Sequence, residues 1–186
     1  MAIKQRNMLS EARNAFSKSD VFKLRELSNE AVRNASLNND KFMAEIAILA
    51  YALHKLSSKE HITKSRQWET IKKNILRSMS KTISLMESEN LKEFKQSLKE
   101  VVESVSDADT HLGYFSQTLY SKARIKVAST AYSLGMSLSQ AVDLTDADKS
   151  RLLSYIGGTR ISDEEVVHLG IAERLEKLKK ELSDKK

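Results

Sequence analysis

One absence limits the fold more than any residue present: the chain has no proline in 186 residues, and no glycine precedes Gly113. Average usage would supply roughly nine prolines in that length. Strands are joined by tight turns that draw on Gly and Pro, whereas helices can be linked through Asn, Asp and Ser caps. The chain is therefore expected to be all-α. Its length allows one domain, or one with a small appendage.

Apolar residues make up 40% of the chain and charged ones 30%, enough for a core beneath a heavily ionised surface. The lack of cysteine excludes a disulfide framework and thiolate metal sites, and fits a cytoplasmic location. The opening MAIKQRNMLSEAR has no apolar stretch of the kind found in signal peptides. The longest apolar run, Ile46 to Leu53, falls far short of the ~20 residues that cross a bilayer, so no membrane partner is expected.

Apolar residues recur at helical spacing, which predicts about eight helices. Met8, Leu9, Ala12, Ala15 and Phe16 mark the first; Asp20 caps a second carrying Leu24, Leu27, Ala31 and Ala35. Asn39 or Asp40 starts a third, Phe42 to Leu56, apolar almost all round and hence the buried centre. Ser57 and Glu60 have capping-box spacing and predict a long helix to about Glu87; Asn90 and Glu93 repeat the signal before Val101 and Val105. Asp107 or Asp109 opens a helix through Leu119, Ala123, Val127 and Ala131 that Gly135 ends. Two short helices follow, Leu138 to Leu144 and Lys149 to Ile156; Gly157-Gly158 and a Ser162/Glu165 capping box then precede a charged amphipathic helix. The expected architecture is a bundle of about six helices over residues 1–135, with a smaller module, 136–186, joined without a flexible linker.

Two segments carry resemblances. From Glu11 to Asp40, inward Ala12 and Phe16, a Ser19-Asp20 turn and packing positions Leu24, Ser28 and Ala31 resemble a tetratricopeptide-type hairpin. No second copy follows at a 34-residue period, so a single antiparallel hairpin within the bundle is expected rather than a solenoid. Residues 137–157 resemble a helix-turn-helix motif. Ser137 and Gln140 cap its first helix, Asp146 stands at the turn position where that family prefers glycine, Ala147 fills the turn, Asp148 caps the second helix, and Leu152 and Tyr155 dock it. The resemblance implies that Lys149, Ser150, Leu153 and Ser154 face the major groove. These are poor base readers, and Asp143, Asp146 and Asp148 offset the nearby cations. The same packing serves protein docking. The whole chain also has the look of archaeal all-helical proteins, a resemblance that implies no activity.

Net charge is +6, and residues 51–100 hold 11 basic against 6 acidic side chains. Placed on one helix, Lys59, Arg66, Lys73, Arg77 and Lys81 form a ridge opposite the apolar stripe Trp68, Ile71, Ile75, Met79, Ile83 and Met86. Such a ridge suits an acidic partner, though a solvated face reads the same way. Chemistry is poorly represented. Glu165 and His168 lack the second Glu-x-x-His pair of a di-iron bundle; Asp107, Asp109 and His111 sit where caps belong; His54 and His61 fall on either side of the proposed Ser57 cap. No phosphate loop, GxGxxG, HExxH or GxSxG is present.

The expectation is a non-enzymatic interaction or scaffold protein, needing no cofactor or metal, that meets a protein partner or a second copy of itself through this ridge. The alternatives are a nucleic-acid-binding regulator, in which Lys149 and Arg151 join the ridge, and a metal-dependent bundle enzyme. One continuous positive face would favour nucleic acid.

Overall fold

The computed structural model describes residues 2–86, 97, 100–102, 104, 105 and 119–164, with side chains described from Ile3 to Gly158 within those ranges. Among the described residues every regular element is a helix. The helices are α1 (Ala2–Ser17), α2 (Val21–Asn38), α3 (Lys41–Ser57), α4 (Glu60–Thr63), α5 (Trp68–Leu85), α6 (Leu119–Ser133), α7 (Leu138–Thr145) and α8 (Lys149–Glu164). Further helical residues lie between 97 and 105, among them the buried Val101 and Val105. No described helix is long and apolar enough to cross a membrane.

Short polar residues do the work of the missing glycines and prolines. The Asp20 carboxylate accepts from the Lys23 amide at 2.9 Å, and Asp40 accepts from the Phe42 and Met43 amides at 3.0 Å. Ser19 (φ 55°) and Asn39 (φ 49°) turn left-handed, which lets the Asp20 and Asp40 amides close back onto the Ala15 and Ala35 carbonyls. Gly135 (φ 100°) closes α6 in the same way, with the Met136 amide on the Ala131 carbonyl.

α3 is the buried axis, as its sequence predicts: Ile46, Ala47, Ile48, Leu49, Ala52 and Leu53 have no exposed surface, and α1, α2, α4, α6 and α7 all pack on it. Each large aliphatic side chain buried there contributes roughly 1.5–3 kcal/mol. Its most extensive partner is α2, whose Ala31 and Ala35 permit close approach. The buried Ser28 hydroxyl donates to the Ala47 carbonyl at 2.8 Å, so this polar group is satisfied inside the core.

The long helix expected to open at Ser57 does not form. Ser57 ends α3, its hydroxyl has no partner among the described residues, and α4 begins after Lys59 without a side-chain cap. α4 lasts one turn before a second break at 64–67. Ile62 and Trp68 are both buried, yet six residues separate them, which sets them about 120° apart on a straight helix. Breaking the helix lets both face the core. Past the break the predicted stripe holds: Trp68, Ile75 and Met79 are buried, and α5 lies against α1 with Trp68 edge-on to Phe16 at 6.0 Å.

Contacts divide the chain into Met1–Leu152 and Leu153–Lys186, because α7 packs on α2, α3 and α6 and buries Ala141, Leu144 and Thr145. Lys41 also pairs with Asp143 at 3.0 Å. Gly157 and Gly158 do not interrupt α8, which runs unbroken to Glu164; neither has a positive φ, so neither ends a helix and Ser162 starts none. The starts proposed at Asn90, Asp107 and Asp109, and the final helix beyond Glu164, lie outside the described residues.

The turn between α7 and α8 follows its sequence closely. Ser137 and Gln140 form a complete capping box, Asp146 is left-handed at φ 50°, Ala147 is buried, and Asp148 accepts the Arg151 amide at 2.8 Å. Leu152 is fully buried, whereas Tyr155 stays exposed. Asp146→Gly should raise stability by roughly 0.5–1 kcal/mol by removing left-handed strain at an exposed side chain, less the extra entropy of glycine. Urea unfolding midpoints of the two chains measure this.

Candidate basic interface

The broken helix dismantles the ridge as a single line. Lys59 is the half-buried residue before α4 and Arg66 lies in the 64–67 turn, so only Lys73, Arg77 and Lys81 share the helical face of α5. Lys81 is partly neutralised by Glu100 at 2.8 Å. Arg66, Lys73 and Arg77 are exposed, with no ion-pair partner among the described residues.

What replaces the ridge is a pair of helices. α1 carries Lys4, Arg6 and Arg13 against Glu11, and α5 carries Lys72, Lys73, Arg77 and Lys81 against Glu69, a net +5 on two helices packed together. Two cations cross between these neighbouring elements to hydroxyls. Arg13 Nε donates to Ser80 Oγ at 2.6 Å, and Lys72 Nζ donates to Ser19 Oγ at 2.9 Å. A hydroxyl orients a cation without cancelling its charge, unlike the carboxylates that hold Lys23 (Glu26, 3.0 Å) and Lys64 (Glu60, 2.6 Å). Phe22, 87% exposed, follows the Ser19 turn and gives this end of the bundle an unburied aromatic ring. Sequence reading missed the share of α1, because its three cations are spread over ten residues and gain meaning only beside α5.

Lys149 and Arg151 are exposed at the start of α8, after α7. α7 packs on α2, α3 and α6, while the principal neighbour of α5 is α1, so the seven proposed cations fall into two groups on differently packed elements.

A polar cluster ties the α7–α8 turn to the core. Tyr120 donates to Glu45 Oε2 at 2.6 Å, and Arg124 reaches Glu45 Oε1 at 3.3 Å and the Asp146 carbonyl at 3.4 Å. Burial, the Glu45 charge and that hydrogen bond push the Tyr120 phenol well above its ordinary value near 10. Above pH 10 the unfolded tyrosine ionises while the folded one stays neutral, so stability falls as pH rises, by up to about 1.4 kcal/mol per unit. Tyr120→Phe should lack this part of the alkaline loss, which thermal melts from pH 9 to 11 on both chains will show.

His54 donates through Nδ1 to the Val21 carbonyl at 3.0 Å, and burial, with Lys55 and Arg25 nearby, lowers its pKa. His61 is exposed on α4. No group of three or more His, Asp or Glu side chains among the described residues is placed to hold a metal ion. Asp107, Asp109, His111, Glu165 and His168 lie outside them. Compared with protein-family models, curated proteins and solved structures, the chain matches none.

Proposed function

We propose that this is a non-enzymatic helical interaction protein whose basic α1/α5 face docks an acidic protein surface. The observation that carries the reading is the net +5 on two packed helices, with Arg13 and Lys72 oriented by serine hydroxyls rather than neutralised by acids. A second copy is the weaker partner for this face, since it would bring the same positive charge to the contact. Burial of the apolar stripe of α5 leaves Lys73 and Arg77 outward.

A nucleic-acid-binding regulator is the second reading, favoured by one specific feature: the capped α7, left-handed Asp146 and capped α8 form a tight helical turn with Lys149 and Arg151 exposed at its exit. Fluorescence anisotropy with labelled poly-L-glutamate, a mixed-sequence DNA duplex and a single strand, each at increasing salt, separates the two. The acidic-partner reading expects the polypeptide to bind most tightly and to weaken with salt, with duplex affinity no better than millimolar. Tighter duplex binding that Lys149→Gln/Arg151→Gln weakens would replace it with the second reading.

A further inference from the structure

Two rows of side chains run along the surface of α5 at one-turn spacing. Lys72, Leu76 and Ser80 form one; Lys73, Arg77 and Lys81 form the next. The first row lies on the seam with α1, because both its ends reach across. Lys72 Nζ donates to Ser19 Oγ at 2.9 Å, and Arg13 Nε donates to Ser80 Oγ at 2.6 Å. Partners of rising number on one side fall in number on the other, so α1 and α5 run antiparallel. The seam therefore carries a cation at each end, about 12 Å apart along the axis, with the partly buried Leu76 between them. Resting on the reading of this face as a dock for an acidic protein, we infer that its partner is an α-helix lying along the seam with an acid–apolar–acid row, Glu-x-x-x-Leu-x-x-x-Glu.

Charge complementarity selects the acids. Among the described residues Arg13, Lys72, Lys73 and Arg77 form no ion pair, and Glu69, the one acid within α5, pairs with none of them. Ser80 engages only Nε of Arg13, so the two terminal nitrogens keep their donors for a carboxylate. Because serine hydroxyls already hold Arg13 and Lys72 in place, less side-chain freedom is lost when a partner arrives. Periodicity selects the helix. A helical partner repeats its side chains every four residues, about 6 Å, the same repeat as α5, so one row of it meets Lys72, Leu76 and Arg13 together. An adjoining row then reaches Lys73 and Arg77. An extended segment would need a strand edge to pair its backbone, and every regular element among the described residues is a helix. Leu76 selects the apolar residue at the centre of the row, since covering its remaining surface adds contact that acids alone do not supply.

The test is calorimetric titration of the full chain at low salt with three synthetic peptides of about 20 residues, long enough to fold as helices when docked. One carries Glu-x-x-x-Leu-x-x-x-Glu; the second has the same composition shuffled off that row; the third is the first with a central proline, which breaks a helix. The first should bind one to one, at least about tenfold tighter than either of the others, and its backbone chemical shifts should move to helical values on binding. Its advantage should vanish in Arg13→Gln/Lys72→Gln, checked for native helicity. Equal affinity for the three peptides, or an advantage kept in that variant, overturns the helical partner and leaves the acidic-partner reading standing. Failure of the first peptide to bind while poly-L-glutamate does has the same meaning. Failure of every peptide and of poly-L-glutamate overturns both. Tighter binding of a mixed-sequence duplex that Lys73→Gln/Arg77→Gln weakens assigns the face to nucleic acid and overturns the inference as well.

Discussion

Trp68→Ala should lower the free energy of unfolding by about 3–5 kcal/mol. The indole is 6% exposed at the first residue of α5 and meets Phe16 edge-on at 6.0 Å, so truncation removes a large apolar burial, an aromatic pair and the filling of the space between α1 and α5. No side-chain cap holds the start of α5, which makes this packing the main anchor of its first turn. Since single domains are stable by only about 5–15 kcal/mol, the loss is a large fraction of the total. Urea unfolding followed by far-ultraviolet circular dichroism measures it. A cost below about 1 kcal/mol would mean that α5 is not docked through Trp68. Because that docking also sets Lys72 beside Ser19, just past α1, binding of acidic polymer should weaken in the same variant under native conditions.

Arg66→Glu/Lys73→Glu/Arg77→Glu should weaken binding of poly-L-glutamate at low salt by about 100-fold, some 2.7 kcal/mol. The substitutions take the chain from +6 to zero net charge and place three acids where the face is most positive. All three side chains are exposed, so the unfolding free energy should change little, within about 0.5 kcal/mol per site. Anisotropy at 50 mM and 300 mM salt measures the binding. Lys149→Gln/Arg151→Gln, the control on the other group of cations, should change the same affinity by less than about twofold.

Much of the fold was legible because local rules and tertiary packing agree. Asp20, Asp40, Ser137 and Asp148 cap helices where their spacing predicts, and the run from Ile46 to Leu53 is the buried axis its composition implies. Reading failed where two demands on one stretch conflict. A helical wheel from 59 to 81 treats the backbone as straight, but burying both Ile62 and Trp68 needs a break, and that break removes Lys59 and Arg66 from the ridge. It also failed where partners are distant in sequence. The Ser80 contact of Arg13, the Glu45 cluster with Tyr120 and Arg124, and the buried Thr82–Ser97 hydroxyl pair at 2.7 Å join residues 15 to 79 apart, and no periodicity records such pairs. Glycine misled in the opposite sense: Gly157-Gly158 reads as a helix end, yet both positions keep helical backbone within α8.

Contact with an acidic partner is expected to run through the α1/α5 pair. Amide hydrogen exchange of the whole chain, with and without saturating poly-L-glutamate at low salt, tests it most directly. Slowed exchange should be confined to peptides from residues 2–17 and 66–85. Protection at 138–152 with none at 66–85 would contradict the claim, as would an exchange pattern unchanged by the polymer.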